Sequence, residues 1–268
     1  MSFHSELYSH ILLIPVISGY FFYLRRREVV SGAKYSYVAG IILLSIGSML
    51  YLIGKNQGMR LDNNDYLSLA IFSALVFWTG GLVFSYGARV FRVAAFPILF
   101  LLLMIPVPNV VIEPIILFLQ TGSADVSYGL FKLLGIPVVR EGFVFHLPGV
   151  SVEVAKQCSG IRSSIALFIV GLLSGALFLE TSWRKVILLL FIVPVAVIKN
   201  GVRIVTLSVL GLYVNRSILE GGALHKKGGV VFFLLALLIM YPILGLLRKS
   251  EKEKTQKKIN HHKIGSHV

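Results

Sequence analysis

Residues 1 to 250 are built from repeated apolar runs of about 18 to 22 residues, the length needed to cross a hydrocarbon core of about 30 Å. No other feature narrows the fold so far. Of 268 residues, 56% are hydrophobic and 14% charged, against roughly 45–50% and 25% in ordinary soluble domains. A soluble globular protein is excluded, and the chain reads as an all-α polytopic membrane protein. The net charge of +14 lies between and after the apolar runs instead of along one polar face. It therefore reads as a set of topology signals directed at the bilayer, with no nucleic-acid partner.

Spans are expected at Leu7 to Leu24, Ser36 to Gly54, Tyr66 to Gly87, Val93 to Val111, Cys158 to Leu179, Val186 to Val214 and Val230 to Leu247. Glu113 to Gly135, a weaker amphipathic stretch carrying Asp125 and Lys132, is compatible with lying on the surface, dipping in or crossing. The bundle thus has seven to eight transmembrane helices. Residues 1–247 form a single transmembrane domain, and 248–268 a basic, disordered cytoplasmic tail. The first run has no basic residue before it and no small-residue cleavage site after it, so it is expected to be a span and not a removable signal.

Orientation follows from the basic loops. If Arg25–Arg27, Lys34, Arg89, Arg92, Arg184, Lys185 and the tail from Arg248 are cytoplasmic, that side holds 15 of the 26 basic residues and four of the 12 acidic ones. This asymmetry places the amino terminus outside and the carboxyl terminus inside, provided Glu113 to Gly135 makes no net crossing. Three non-span stretches then lie at the outer face. The first, residues 136 to 156, alternates with period two around Pro148-Gly149 and predicts a β-hairpin. The others are Lys199 to Arg203 and the glycine-rich loop from Gly221 to Gly229.

Candidate chemistry gathers in these stretches. The lone cysteine, Cys158, excludes an intramolecular disulfide and a thiolate zinc cluster, and no metal or cofactor site is expected. It sits at the predicted start of a span, where unpaired N–H groups favour an anion and Arg162 adds a cation; an inert thiol inside a membrane helix is the alternative. Arg203 lies about 27 Å along a helix starting at Lys185, near the outer boundary. Charges inside spans usually serve function, although a snorkelling arginine competes with that reading, and Lys199 is expected to snorkel. His225, followed by Lys226 and Lys227, is favoured as a neutral imidazole able to accept a proton, with His146 as the rival base. A thiol, an imidazole and a guanidinium at one depth are the set required for nucleophilic acyl transfer.

Gln157-Cys158-Ser159-Gly160-Ile161-Arg162-Ser163, then Asn200-Gly201-Val202-Arg203-Ile204, then His225 before the last span, resemble the exosortase/archaeosortase family. Members are integral membrane cysteine transpeptidases or proteases with about eight spans. They process surface proteins that carry a C-terminal signal of a short motif, a transmembrane helix and a basic cluster. The resemblance implies that Cys158 is the nucleophile, Arg203 the essential arginine and His225 the histidine, with Asn200 in a supporting place. Arg162 and Ser159 are further candidates from the same segment.

The activity this resemblance implies is that of a cysteine endopeptidase or transpeptidase cutting sorting signals at the outer face of a prokaryotic cytoplasmic membrane through a thioacyl intermediate. Its partners would be membrane-anchored protein substrates. The hairpin ahead of Cys158 is expected to offer an edge strand to the substrate's extended motif. The alternative is a small anion transporter or channel with a broken helix near Arg203.

Overall fold

The computed structural model describes residues 11–31, 35–57, 61–213 and 223–265, with the backbone alone at 57, 157, 223–228 and 254–265. The helices are α1 (Leu13–Ser31), α2 (Tyr37–Gln57), α3 (Asn63–Tyr86), α4 (Arg89–Val93), α5 (Ala95–Leu101), α6 (Asn109–Leu133), α7 (Ile161–Phe178), α8 (Ser182–Tyr213) and α9 (Ala223–Gly265). Between α6 and α7 lie the strands β1 (Val139–Glu141), β2 (Val144–Leu147) and β3 (Val150–Glu153). Among the described residues six helices are long and apolar enough to cross a membrane, those at Tyr37–Asn56, Asn63–Tyr86, Asn109–Leu133, Ile161–Phe178, Ser182–Tyr213 and Gly229–Glu253. Large apolar side chains such as Leu190 and Leu238 remain 63% and 72% exposed on them, as lipid-facing helices require. The protein is a largely helical, multi-pass membrane protein.

Two compact units are resolved, residues 1–113 and 114–268. In the first, α2 and α3 pack closely because Gly40, Gly47 and Gly54 recur every seven residues on one face of α2. A Cβ at Gly40 would fall 2.5 Å from Phe84 Cβ, and one at Gly47 would fall 2.7 Å from the Phe77 nitrogen. Small residues allow such backbone approach where lipid supplies no hydrophobic drive. The span expected at Val93 to Val111 is instead broken into α4, α5 and a 3-10 turn, Leu102–Met104, followed by Pro106 and Pro108, which cannot continue a helix. The segment nevertheless runs back along α3. Arg89 and Arg92 follow the end of α3, whereas at its start Asn64 Nδ2 donates to the Val107 carbonyl (2.8 Å) and Asp65 accepts from the Asn109 N–H (2.8 Å).

The stretch from Glu113 to Gly135 is the larger correction. It belongs to α6, a continuous helix of 25 residues, about 37 Å long and sufficient to cross. The charge argument that put the amino terminus outside required no net crossing there, and a helix of this length and apolarity is able to make one. The count of six apolar helices also falls short of the expected seven to eight. The Leu7 to Leu24 span begins outside the described residues, and α1 includes Arg25, Arg26 and Arg27.

The second unit sets the site. The predicted hairpin forms as β2 and β3, with Pro148-Gly149 in the turn and Gly149 at φ 82°, a conformation glycine adopts without steric cost. β1 adds a third strand, giving the antiparallel order β1-β2-β3. Its apolar face lies on α6 and α8: Phe145 is fully buried with Leu147, Val154, Ala124, Phe131, Ile204 and Val205. Phe131 and Phe145 meet edge to face at 5.5 Å, a pairing worth about 0.5–1.5 kcal/mol beyond burial. The α6–α8 contact is close at Gly201, where a Cβ would sit 2.5 Å from Val126 Cγ1.

α7 and α8 form a helical hairpin, and α9 packs on both through Leu167, Leu188, Ile192, Ala236 and Met240. α9 continues as helix to Gly265, through the stretch whose composition predicts disorder.

Candidate active site

Cys158 closes a 3-10 turn, Lys156–Cys158, that follows β3 directly. α7 begins three residues later, after Gly160 at φ 81°. The thiol therefore sits in the approach to the helix, not in its first turn, and its residue is half-buried. Glycine at 160 has a steric reason beyond its φ, since a Cβ there would lie 2.9 Å from the Asn200 side chain. Asn200, 1% exposed, donates through Nδ2 to the Cys158 carbonyl (2.8 Å) and to Ser123 Oγ (3.0 Å). One buried amide thus ties the cysteine turn to α8 and α6.

Arg203 stands less than one helical turn beyond Asn200 on α8. It lines a cavity of about 170 Å³ together with Cys158, Ser151, Val152, Glu153, Ile204, Leu207 and Ser208. Cys158 and Arg203, far apart in sequence, thus share one small space between the β3 edge and α8. Ser159 is 1% exposed beside Cys158, and its hydroxyl has no hydrogen-bond partner among the described residues. The same holds for Ser208 Oγ and Asn200 Oδ1. Buried polar atoms are nearly always paired, so three unpaired oxygens in this neighbourhood mark it as unusual.

The remaining candidates fall elsewhere. Arg162 is exposed on the first turn of α7. His225 falls within the first turn of α9, and its side chain lies outside the described ones. His146 is on β2, with Nδ1 2.9 Å from Ser151 Oγ and Nε2 3.5 Å from Glu141 Oε2. Lys199 does not snorkel. It is 3% exposed and donates to the Ser163 hydroxyl of α7. α8 runs unbroken from Ser182 to Tyr213, so the interrupted helix on which the transporter alternative depended is absent.

The model of the transmembrane exosortases matches residues 2–242, nearly the whole chain. The protein belongs to the transmembrane exosortase family. No curated protein and no solved structure matches it. Family membership gives this exosortase a general role in membrane protein sorting of a cysteine-protease-like kind.

Sequence reasoning missed Ser208, Ser123 and Gln120 in the neighbourhood of this site. Ser208 had a signal: Asn200, Ile204 and Ser208 recur every four residues and share a helix face with the arginine's neighbours. Gln120, 5% exposed, donates to the Val154 carbonyl just after β3. Its role depends on a sheet that helical periodicity does not reveal.

Proposed function

We propose that this exosortase is a membrane-embedded cysteine endopeptidase or transpeptidase that cuts membrane-anchored proteins near their C-terminal sorting signal. The observation that carries the reading is the shared cavity of Cys158 and Arg203. The Cys158 thiol gives its proton to a base, a role that the family resemblance gives to His225, and its sulfur attacks the scissile carbonyl; the electron pair displaced onto oxygen gives a tetrahedral oxyanion facing the Arg203 guanidinium. Collapse restores the carbonyl as a thioester and breaks the C–N bond. The leaving amine takes a proton, a role assigned to His225 through the family resemblance. An amine, hydroxyl or water then releases the acyl group from sulfur.

Asn200 acts as a positioning residue, holding the Cys158 carbonyl and so the direction of the thiol. Confinement of the substrate helix in the bilayer holds its motif at the depth of the nucleophile, which lowers the entropic part of the barrier. The site is assigned to the outer face. Arg184, Lys185, Arg248, Lys249 and Lys252 gather at the opposite end of α7, α8 and α9, where the positive-inside rule puts the cytoplasm.

The test is processing of a surface protein whose C-terminal maturation is lost when this chain is deleted. Cys158→Ala abolishes processing while the protein stays in the membrane, and a membrane-impermeant maleimide added outside labels wild-type Cys158. Normal processing by Cys158→Ala would end the proposal, and labelling only from the cytoplasmic side would reverse the orientation.

A further inference from the structure

β3 is the open edge of the sheet at the catalytic cavity, and its register shows which backbone groups are free. β2 and β3 pair as Val144↔Glu153, Phe145↔Val152, His146↔Ser151 and Leu147↔Val150. One step further along, the Val154 N–H donates to the Phe143 carbonyl at 2.9 Å. Hydrogen-bonded and non-hydrogen-bonded pairs alternate in an antiparallel ladder. Val150, Val152 and Val154 therefore turn their backbone groups toward β2, and Ser151 and Glu153 turn theirs away from it. Among the described strands none pairs with that side. Ser151 and Glu153 line the cavity that holds Cys158 and Arg203. Across it, fully buried Ser208 presents a hydroxyl with no partner among the described residues.

A row of unpaired N–H and C=O groups is complementary to one kind of ligand, an extended peptide backbone. We infer that the substrate's motif binds as a fourth strand on β3, bonded to the N–H and C=O groups of Ser151 and Glu153, with Ser208 contacting it from the α8 side. Four residues of strand span about 13 Å and end at Glu153, five residues before the nucleophile, so the added strand is delivered to Cys158. The inference rests on the reading of Cys158 as the nucleophile and adds to it how the peptide is held.

Proline tests it, because an edge strand tolerates proline where the N–H points away from the ladder. Ser151→Pro and Glu153→Pro each remove one outward donor and slow processing by about two- to tenfold per hydrogen bond lost. Arg140→Pro removes an outward donor from β1, on the far edge of the same sheet, and leaves processing in place. A proline scan of the substrate's own motif gives sensitivity at alternate positions, a readout independent of how well the enzyme variants fold. Native rates for both β3 variants, or a motif insensitive to proline throughout, would overturn the inference while Cys158→Ala still blocked processing. Processing by Cys158→Ala would instead remove the underlying reading.

Discussion

The two ends of α8 use buried polar residues in opposite ways. At its start Arg184, 2% exposed, pairs with Glu251 of α9 at 3.0 Å and donates to the Ser250 carbonyl at 2.9 Å. The Glu251 carboxylate also accepts from the Glu180 and Thr181 N–H groups and the Thr181 hydroxyl. Among the described residues only Arg184 Nε is left over there. Near the other end, Asn200 Oδ1 and Ser208 Oγ are buried without partners among the described residues, beside the cavity of Cys158 and Arg203. The first arrangement is closed and locks α9 against the α7–α8 turn. The second, on the proposed function, leaves donors and acceptors for the substrate. A site that binds and releases a substrate needs the second kind, and a joint that fixes helix register needs the first.

The contrast can be broken most forcefully at the lock. Arg184→Ala removes the cation facing the Glu251 carboxylate, which keeps its Glu180 and Thr181 donors, and costs about 1.5–3 kcal/mol, visible as a lowered Tm in detergent; an unchanged Tm would show that the pair is not a lock. Replacing both partners by apolar residues, Arg184→Met with Glu251→Leu, recovers most of that loss in the same assay. At the site, Arg203→Ala keeps the Tm but lowers the processing rate by about 10²- to 10³-fold, the cost of one lost oxyanion partner, and Arg203→Lys recovers part of it. Gly201→Ala drives a methyl into Val126 and costs about 1–3 kcal/mol of stability. The smallest effect on stability belongs to Ser208→Ala. Removing an already unpaired hydroxyl is neutral or slightly stabilising, so its Tm holds or rises while processing slows.

Much of this was legible in the sequence, for identifiable reasons. Apolar runs located α2, α3, α7, α8 and α9, because a helix surrounded by lipid has no polar face to interrupt the pattern. Period-two alternation around Pro148-Gly149 located β2 and β3. Depth counted in residues put Cys158, Arg203 and His225 at one level; Cys158 and Arg203 line one cavity, and the His225 side chain lies outside the described ones. α6 was obscured by Gln120, Ser123 and Ser127, which lower its hydropathy. All three are buried, and their hydrogen bonds go to Val154, to Asn200 and within α6 and to Gly201. Polarity that left the segment open between lying on the surface, dipping in and crossing is internal wiring. β1, three residues long, is too short to show alternation. Lys199 was misread because its partner, Ser163, lies on another helix, and a single helix gives no sign of what faces it.

The most direct test of the central claim is covalent. Wild-type protein from cells making its substrate, quenched rapidly in acid and digested, is expected to yield the peptide containing Cys158 with an added acyl mass that hydroxylamine removes. The Arg203→Ala variant is expected to show less of that adduct. Normal substrate maturation with Cys158→Ala, or an acyl mass on any other residue, would contradict the account.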